Sequence, residues 1–333
     1  MKFCQEYDIV KDQRTRFGRE NENVRSGDKR SMSEILVRAG CFVSIIMLGY
    51  VLRRIGFFKE EDFHLLSKIV LKITLPAALV SSIANKEIDP SLLFISLIGL
   101  MGGVIYISIM YVLNLRSSNE QRAFDMLNTA GYNIGNFTLP FAQSFLGPLG
   151  VLTVSLFDIG NAVICLGGSY SVASIVKGGG RFDVKKIIKT LLHSVPFVAY
   201  MIMLTLGLLK IQVPEPVTTF AGIIAGGNAF LAMLMIGVGF KLSGDRSQIG
   251  RIVKILAVRY SVAVVLALCC FFLLPLPLEY RQALAILAFS PIGSSTPAFT
   301  GDLKGDIGLS SAVNSVSIIV SIICIVEVLV LVL

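Results

Sequence analysis

Beyond residue 33 the chain is a succession of apolar runs separated by a few polar residues each. A membrane-spanning helix needs about 20 apolar residues. On that measure the pattern predicts spans at 34–56, 64–85, 89–113, 123–146, 149–176, 186–209, 214–240, 252–274, 279–302 and 306–332. The fourth and ninth runs are interrupted, about 160 residues apart, by polar stretches containing Gly and Pro. The first interruption leads from Gln121, Arg122 and Ala123 through Gly131, Asn133, Gly135, Asn136 and Thr138 to Pro140, then to Gly147 and Gly150. The second leads from Arg281, Gln282 and Ala283 through Ser290, Pro291, Gly293, Ser294, Ser295 and Thr296 to Pro297, then to Gly305 and Gly308. Each opens on an Arg/Gln pair before alanine and resumes at Gly-x-x-Gly-aliphatic. Lipid cannot satisfy backbone that leaves the helix, so such a break persists only where it lines a cavity or is buried in protein. Matching breaks in the two halves of an apolar chain point to the substrate site of a secondary transporter.

Composition agrees with a membrane protein. Mean hydropathy is +0.75; hydrophobic residues make up 54% and charged residues 16%, against roughly 25% charged in soluble domains. The chain reads as an all-α membrane protein with two five-helix halves, 34–176 and 186–333, joined by a basic linker at 177–185. Loop charge sets the orientation. Arg53, Arg54, Lys59, Arg116, Lys177, Arg181, Lys185, Lys186, Lys241, Arg246, Arg251, Lys254 and Lys304 all fall in odd-numbered loops, against Lys86, Lys210 and Arg281 in the even ones. By the positive-inside rule the odd loops are cytoplasmic, which puts both termini outside, in the plasma membrane. An odd number of helices per half makes the halves inverted repeats. The net charge of +8 is thus mostly topology, and no nucleic-acid partner is expected.

Residues 1–33 form a polar tail rich in both charges, without the apolar core of a signal peptide. Its composition predicts disorder. Its basic content resists translocation, and Met32 just before the first span is an economical start for the functional chain; a regulatory tail is the alternative. Cys41, Cys165, Cys269, Cys270 and Cys324 lie in spans and Cys4 in the tail. No Cys or Cys/His spacing suggests a metal, and no cofactor is called for.

Neither broken middle contains a charged side chain. Two breaks crossing at mid-membrane would aim half-helix N-termini at one point, an anion site without a fixed cation. Asn133, Asn136, Thr138, Pro140, Ser294, Ser295, Thr296 and Pro297 are the candidate site, their amides and hydroxyls completing the hydrogen bonding to a carboxylate. The plainer alternative is a pair of proline kinks with small residues for helix packing. Asp158 and Asn161 share a helical face in the fifth span. An intramembrane carboxylate is a candidate for proton or sodium coupling, or simply pairs with a donor such as Asn314 or Lys72. Asn314 is a candidate site wall. Gly99-x-x-Gly102 and Gly222-x-x-x-Gly226 serve internal packing or a homodimer. His64 and His193 are the only histidines, and neither His-Glu-x-x-His nor Gly-x-Ser-x-Gly occurs, which argues against a membrane protease. A membrane sensor without transport is a further class that flux measurements separate from a carrier.

The segment Gly131–Pro140 followed by Gly147–Gly150 resembles the fourth-helix signature of the auxin efflux carrier family, which includes plant PIN carriers and bacterial malonate and malate permeases. Lys68–Ala77, with Pro76, resembles that family's second helix, and Met235–Leu242 the end of its seventh. The resemblance implies about ten helices in two inverted repeats with helices four and nine crossing, as in bile-acid symporters and sodium/proton antiporters. It implies an amphipathic organic anion as cargo, and helices three, four, five, eight, nine and ten sliding against one, two, six and seven. The short central loop favours a permease of bacterial type. Asn228 and Ala229 stand where the family has a proline, and the second break is richer in Ser and Thr than the family pattern.

If the topology is right, a cysteine placed at residue 180, in a background without native cysteines, will not be labelled by an impermeant reagent outside intact cells. Ready labelling there reverses the orientation.

Overall fold

The computed structural model describes residues 32–241 and 248–332. The predicted tail up to residue 31, and Arg246 of the seventh loop, lie outside the described residues. Every element among the described residues is helical, and the chain is a multi-pass integral membrane protein. In order these are α1 (Met32–Arg54), α2 (Asp62–Ile83), α3 (Pro90–Leu113), α4a (Asn119–Leu127), α4b (Leu139–Phe145), α5 (Gly147–Lys177), α6a (Val184–His193), α6b (Val195–Leu208), α7 (Glu215–Gly239), α8 (Ile249–Phe272), α9a (Leu278–Ala288), α9b (Thr296–Asp302) and α10 (Ile307–Val332). Seven helices are long and apolar enough to cross a membrane, or eight if the bent α6 pair is one span. The pieces of α4 and α9 have 7 to 11 residues each. At 1.5 Å per residue none of them crosses alone.

The interrupted spans are not the only bent ones. The sixth apolar run bends by 80° between α6a and α6b. Ser194 is extended, with φ −80° and ψ 110°, and Pro196 lacks the N–H that would continue the helical ladder. α6a carries Lys185, Lys186 and Lys189 while Ile187 and Leu191 are buried, the pattern of a helix lying along a membrane surface. Exposed apolar side chains such as Leu36, Met47, Val112, Ile223 and Val265 stud the long helices, as a lipid-facing exterior requires.

Glycine sets two close helix crossings. A Cβ added at Gly49 of α1 would lie 2.3 Å from the Leu234 carbonyl oxygen, and one at Gly237 of α7 would lie 2.0 Å from that of Ile46. The same reciprocity joins α3 to α5: a Cβ added at Gly99 would collide with the Phe157 carbonyl oxygen, and one at Gly160 with that of Ser96. Helices in lipid have no hydrophobic drive to associate, so close backbone approach supplies the attraction. Gly99 therefore serves internal packing, and Gly102 lies against the Tyr132 ring. The heaviest packing gathers α1, α2, α6b and α7 into one group, and α3, α4, α5, α8, α9 and α10 into another. In the loop after α5, a side chain at residue 180 would press on Ser174 Oγ at 2.0 Å, whereas residue 179 is open. Residue 179 is thus the better labelling position.

Gly160→Ala should lower the thermal midpoint of the purified protein by the equivalent of about 1–3 kcal/mol of overpacking. Gly40→Ala, where a Cβ meets nothing within 4 Å, should leave it unchanged or raise it. Equal midpoints for the two variants would show that α3 and α5 are not in backbone contact.

Candidate functional site where the two broken helices meet

Two helices widen into a single π turn, in which an N–H reaches back five residues, and a third is kinked. Leu75 donates to the Val70 carbonyl in α2 and Leu139 to that of Ile134 at the start of α4b; in α5 the backbone is non-helical at Leu166 and Gly167, between the Ile164 carbonyl and the Ser169 N–H that donates to it. The first two end on the same tripeptide, Thr74-Leu75-Pro76 and Thr138-Leu139-Pro140. The proline has no N–H to give, and the ladder expands around it. Such turns are frequent at functional positions. All three lie on the wall of one cavity of about 190 Å³, through Leu71, Ile134, Asn136 and Cys165 among others. At Gly131 the chain leaves α4a with φ +77°, a left-handed conformation that glycine adopts without strain.

The two interruptions meet each other. The Asn133 N–H donates to the Pro291 carbonyl at 2.8 Å. Asn136 Nδ2 donates to Ser294 Oγ at 3.1 Å, and Thr138 Oγ1 to Ser290 Oγ at 2.6 Å. Asn133 and Ser294 line the 190 Å³ cavity and also a second one of about 310 Å³. Of the other expected site residues, Asn136, Ser295, Asp158 and Asn161 line the smaller cavity, and Pro297 and Asn314 the larger. Thr138, Pro140 and Thr296 are buried and reach neither cavity; Pro140 and Thr296 sit in the first turns of α4b and α9b. The Oδ1 of Asn136 is buried without a partner. Because the two ends of an amide are assigned from their surroundings, this side chain has one hydrogen-bonding group, C=O or NH2, left over at the junction.

The polar neighbours differ from those expected. Asp158 pairs with neither Asn314 nor Lys72. It accepts from Asn161 Nδ2 at 2.8 Å and from the Tyr200 hydroxyl at 2.9 Å. Asn161 also clamps the broken backbone, accepting from Tyr132 N–H and donating to Tyr132 C=O, both at 2.9 Å. Asn314 donates to the Ile292 and Gly293 carbonyls at 3.0 and 3.2 Å. Asn228 is fully buried; it accepts from Thr74 Oγ1 and donates to Gln143 Oε1, each at 2.9 Å.

The expectation of a site with no fixed cation nearby is corrected. Arg259 of α8 is 1% exposed. It donates to the carbonyls of Thr129, Ser290 and Pro291 at the two breaks. Its guanidinium also lies over the rings of Tyr106 and Tyr132, at 4.9 and 5.1 Å from their centroids. An arginine in the middle of the run 252–274 is legible as an intramembrane charge, and that was the signal available. A second charge cluster, from the end of α1 and the residues after α1 and α7, lines the larger cavity. Lys241 donates to Glu60, and Arg53 lies 3.5 Å from the same carboxylate while also donating to the Val238 and Phe240 carbonyls. The bond and the charge of Lys241, followed by Arg53, hold the Glu60 carboxyl below its usual range. Two cations therefore share one anion there. Phe42, Phe137, Phe141 and Phe145, from α1, the first break and α4b, pack ring against ring, with centroids 4.9 to 6.1 Å apart.

Interrupted helices that satisfy one another inside the protein and present polar groups to cavities are the architecture of a membrane transporter. Comparison with known proteins agrees. Residues 41–176 match the family model described as membrane transport protein, and the resemblance to the auxin efflux carrier family read from the sequence is borne out. The chain is also similar to an uncharacterized transporter of Methanothermobacter thermautotrophicus, with 22% identity over 205 residues, 60% of this chain and 65% of that protein. It thus covers slightly less than two thirds of that relative's length.

Proposed function

We propose that this protein is a secondary carrier that moves a small organic anion, a carboxylate, across the plasma membrane by alternating access. The observation that carries the reading is the leftover amide group of Asn136 beside Ser294, at a junction of two broken helices that opens on two cavities. A buried polar group without a partner is rare in folded proteins, and a cargo carboxylate is a partner for it. If the amide is turned so that Oδ1 accepts from Ser294, its NH2 faces the cargo. Asn133, Ser294, Ser295 and Pro297 complete the walls. In this reading α4 and α9 are two further spans, interrupted, which with the eight others make about ten in two inverted repeats, both termini outside. The cavity near Lys241 and Arg53 then opens to the cytoplasm, and the phenylalanines close the opposite side. The group of α3, α4, α5, α8, α9 and α10 slides against α1, α2, α6 and α7.

Asp158 is the coupling residue in this scheme. It lines the smaller cavity together with Asn136. An ionised carboxylate disfavours a second anion close by, so a proton or a sodium ion on Asp158 favours cargo loading.

Flux of labelled mono- and dicarboxylates into proteoliposomes tests the carrier reading, and absence of flux for every organic anion tried would favour a sensor. With a cargo in hand, Asn136→Ala should weaken its binding roughly ten- to hundredfold, the loss of a hydrogen bond to a charged group worth about 1.5–3 kcal/mol. An unchanged affinity removes Asn136 from the site. Asp158→Asn mimics the neutral carboxyl, so it should keep cargo binding and lose the dependence of transport on pH or on sodium. Ion dependence that survives this substitution makes Asp158 structural.

A further inference from the structure

Arg259 does more than the carrier scheme above asks of it. The carbonyls it binds are equivalent in the two halves: Thr129 is the second residue past the end of α4a, and Ser290 the second past the end of α9a. Both half-helices direct the negative ends of their dipoles, and carbonyls released from the ladder, toward this point. In carriers built from discontinuous helices, such unwound carbonyls and half-helix C-termini are where a coupling cation is coordinated. Here a guanidinium occupies the place. One Nη atom meets Thr129, and the other meets Ser290 at 2.7 Å and Pro291 at 3.2 Å. No carboxylate among the described residues forms an ion pair with it. Its charge is balanced by carbonyl dipoles and by the faces of Tyr106 and Tyr132, the same kinds of group that hold a bare cation. Its Nε is buried without a partner, so the side chain is fitted to the carbonyls at its tip and not along its whole length.

We propose that Arg259 is a built-in cation that takes the place of an alkali metal ion at the junction of the broken helices. This rests on the carrier reading and refines it. The site for the anion is polarised by a permanent positive charge, and the junction needs no ion from solution to hold its carbonyls together. The guanidinium is separated from the cargo-facing Asn133 by a single peptide carbonyl, that of Pro291, which accepts from both. Arginine suits the role because its planar fork reaches carbonyls of both breaks at once and stays charged when buried. Lysine keeps the charge at one point. A neutral residue removes it and leaves at least three carbonyls facing a vacant space.

The test uses purified full-length protein carrying Asp158→Asn, so that any sodium effect at Asp158 is already removed. Thermal midpoints are measured in sodium, lithium and choline chloride at equal ionic strength, and no cargo needs to be known. With Arg259 present the midpoint should be the same in all three salts. Arg259→Ala should be less stable in choline and should gain a saturable rise of about 2–4 °C in sodium or lithium, as expected for a ligand that binds only the folded state. Arg259→Lys should remain insensitive to the cation. A merely structural arginine would give a destabilised alanine variant with no preference among salts, and that result overturns the proposal. Saturable sodium stabilisation of the protein that retains Arg259 overturns it as well. If Arg259→Ala yields no folded protein, Arg259→Met takes its place in the same comparison, with the same two outcomes. Loss of all transport in proteoliposomes would count against the carrier reading alone and would leave these midpoints unaffected.

Discussion

A polypeptide that stops being helical inside a bilayer must find a partner for every amide it frees, and the centre of this molecule is organised around that requirement. Across the first break, the Tyr132 N–H and C=O go to Asn161, the Thr129 carbonyl to Arg259 and the Asn133 N–H to the Pro291 carbonyl. Across the second, the carbonyls of Ser290 and Pro291 go to Arg259 and those of Ile292 and Gly293 to Asn314, while the Ile292 N–H goes to Ser317. These partners come from α5, α8 and α10 and from the opposite break. The Asn133–Pro291 bond and Arg259, which binds carbonyls of both, tie the two breaks to each other.

The same requirement explains why the polar residues of this region divide into two kinds. Asn161, Asn314, Ser317 and Arg259 are committed to backbone, and their substitution leaves buried amides or carbonyls unpaired. Asn136 and Ser294 bond to each other across the junction and keep capacity to spare. Glycine makes the arrangement fit: where α3 meets α5 and where α1 meets α7, the helix backbones touch, so the polar centre is enclosed on both sides by closely packed helices.

Much of this was written in the sequence in a form that local reading can reach. Helix length and loop charge are short-range signals, and the expected spans agree with the helix ends to within a few residues, apart from the bend at Ser194 and the internal breaks. The paired interruptions were visible because lipid leaves so few reasons for Gly, Pro, Asn and Ser to cluster. Other features depend on contacts between distant residues. Thr129 and Arg259 are 130 residues apart in the chain, and beside Arg251 and Lys254 an arginine at 259 passes easily for one more basic residue. Tyr200 lies 42 residues from Asp158, with nothing in either segment to pair them. The bend at Ser194 was hidden because apolar content continues across it. Pro196 marks a helix start as readily as a kink, and composition alone does not separate the two.

Asn228 has one further consequence. It is tied to Thr74 within its own helix group and to Gln143 in the other, and it is sealed from water. A buried amide cannot glide past its neighbour gradually, because any intermediate position leaves two polar groups stranded at a cost of about 1–3 kcal/mol each. A displacement of α4b along α7 must therefore go from one hydrogen-bonded register to another with nothing stable between. If the two helix groups slide past one another as proposed, the Asn228–Gln143 pair would act as a detent, giving their interface discrete resting positions where apolar side chains alone would leave it smooth.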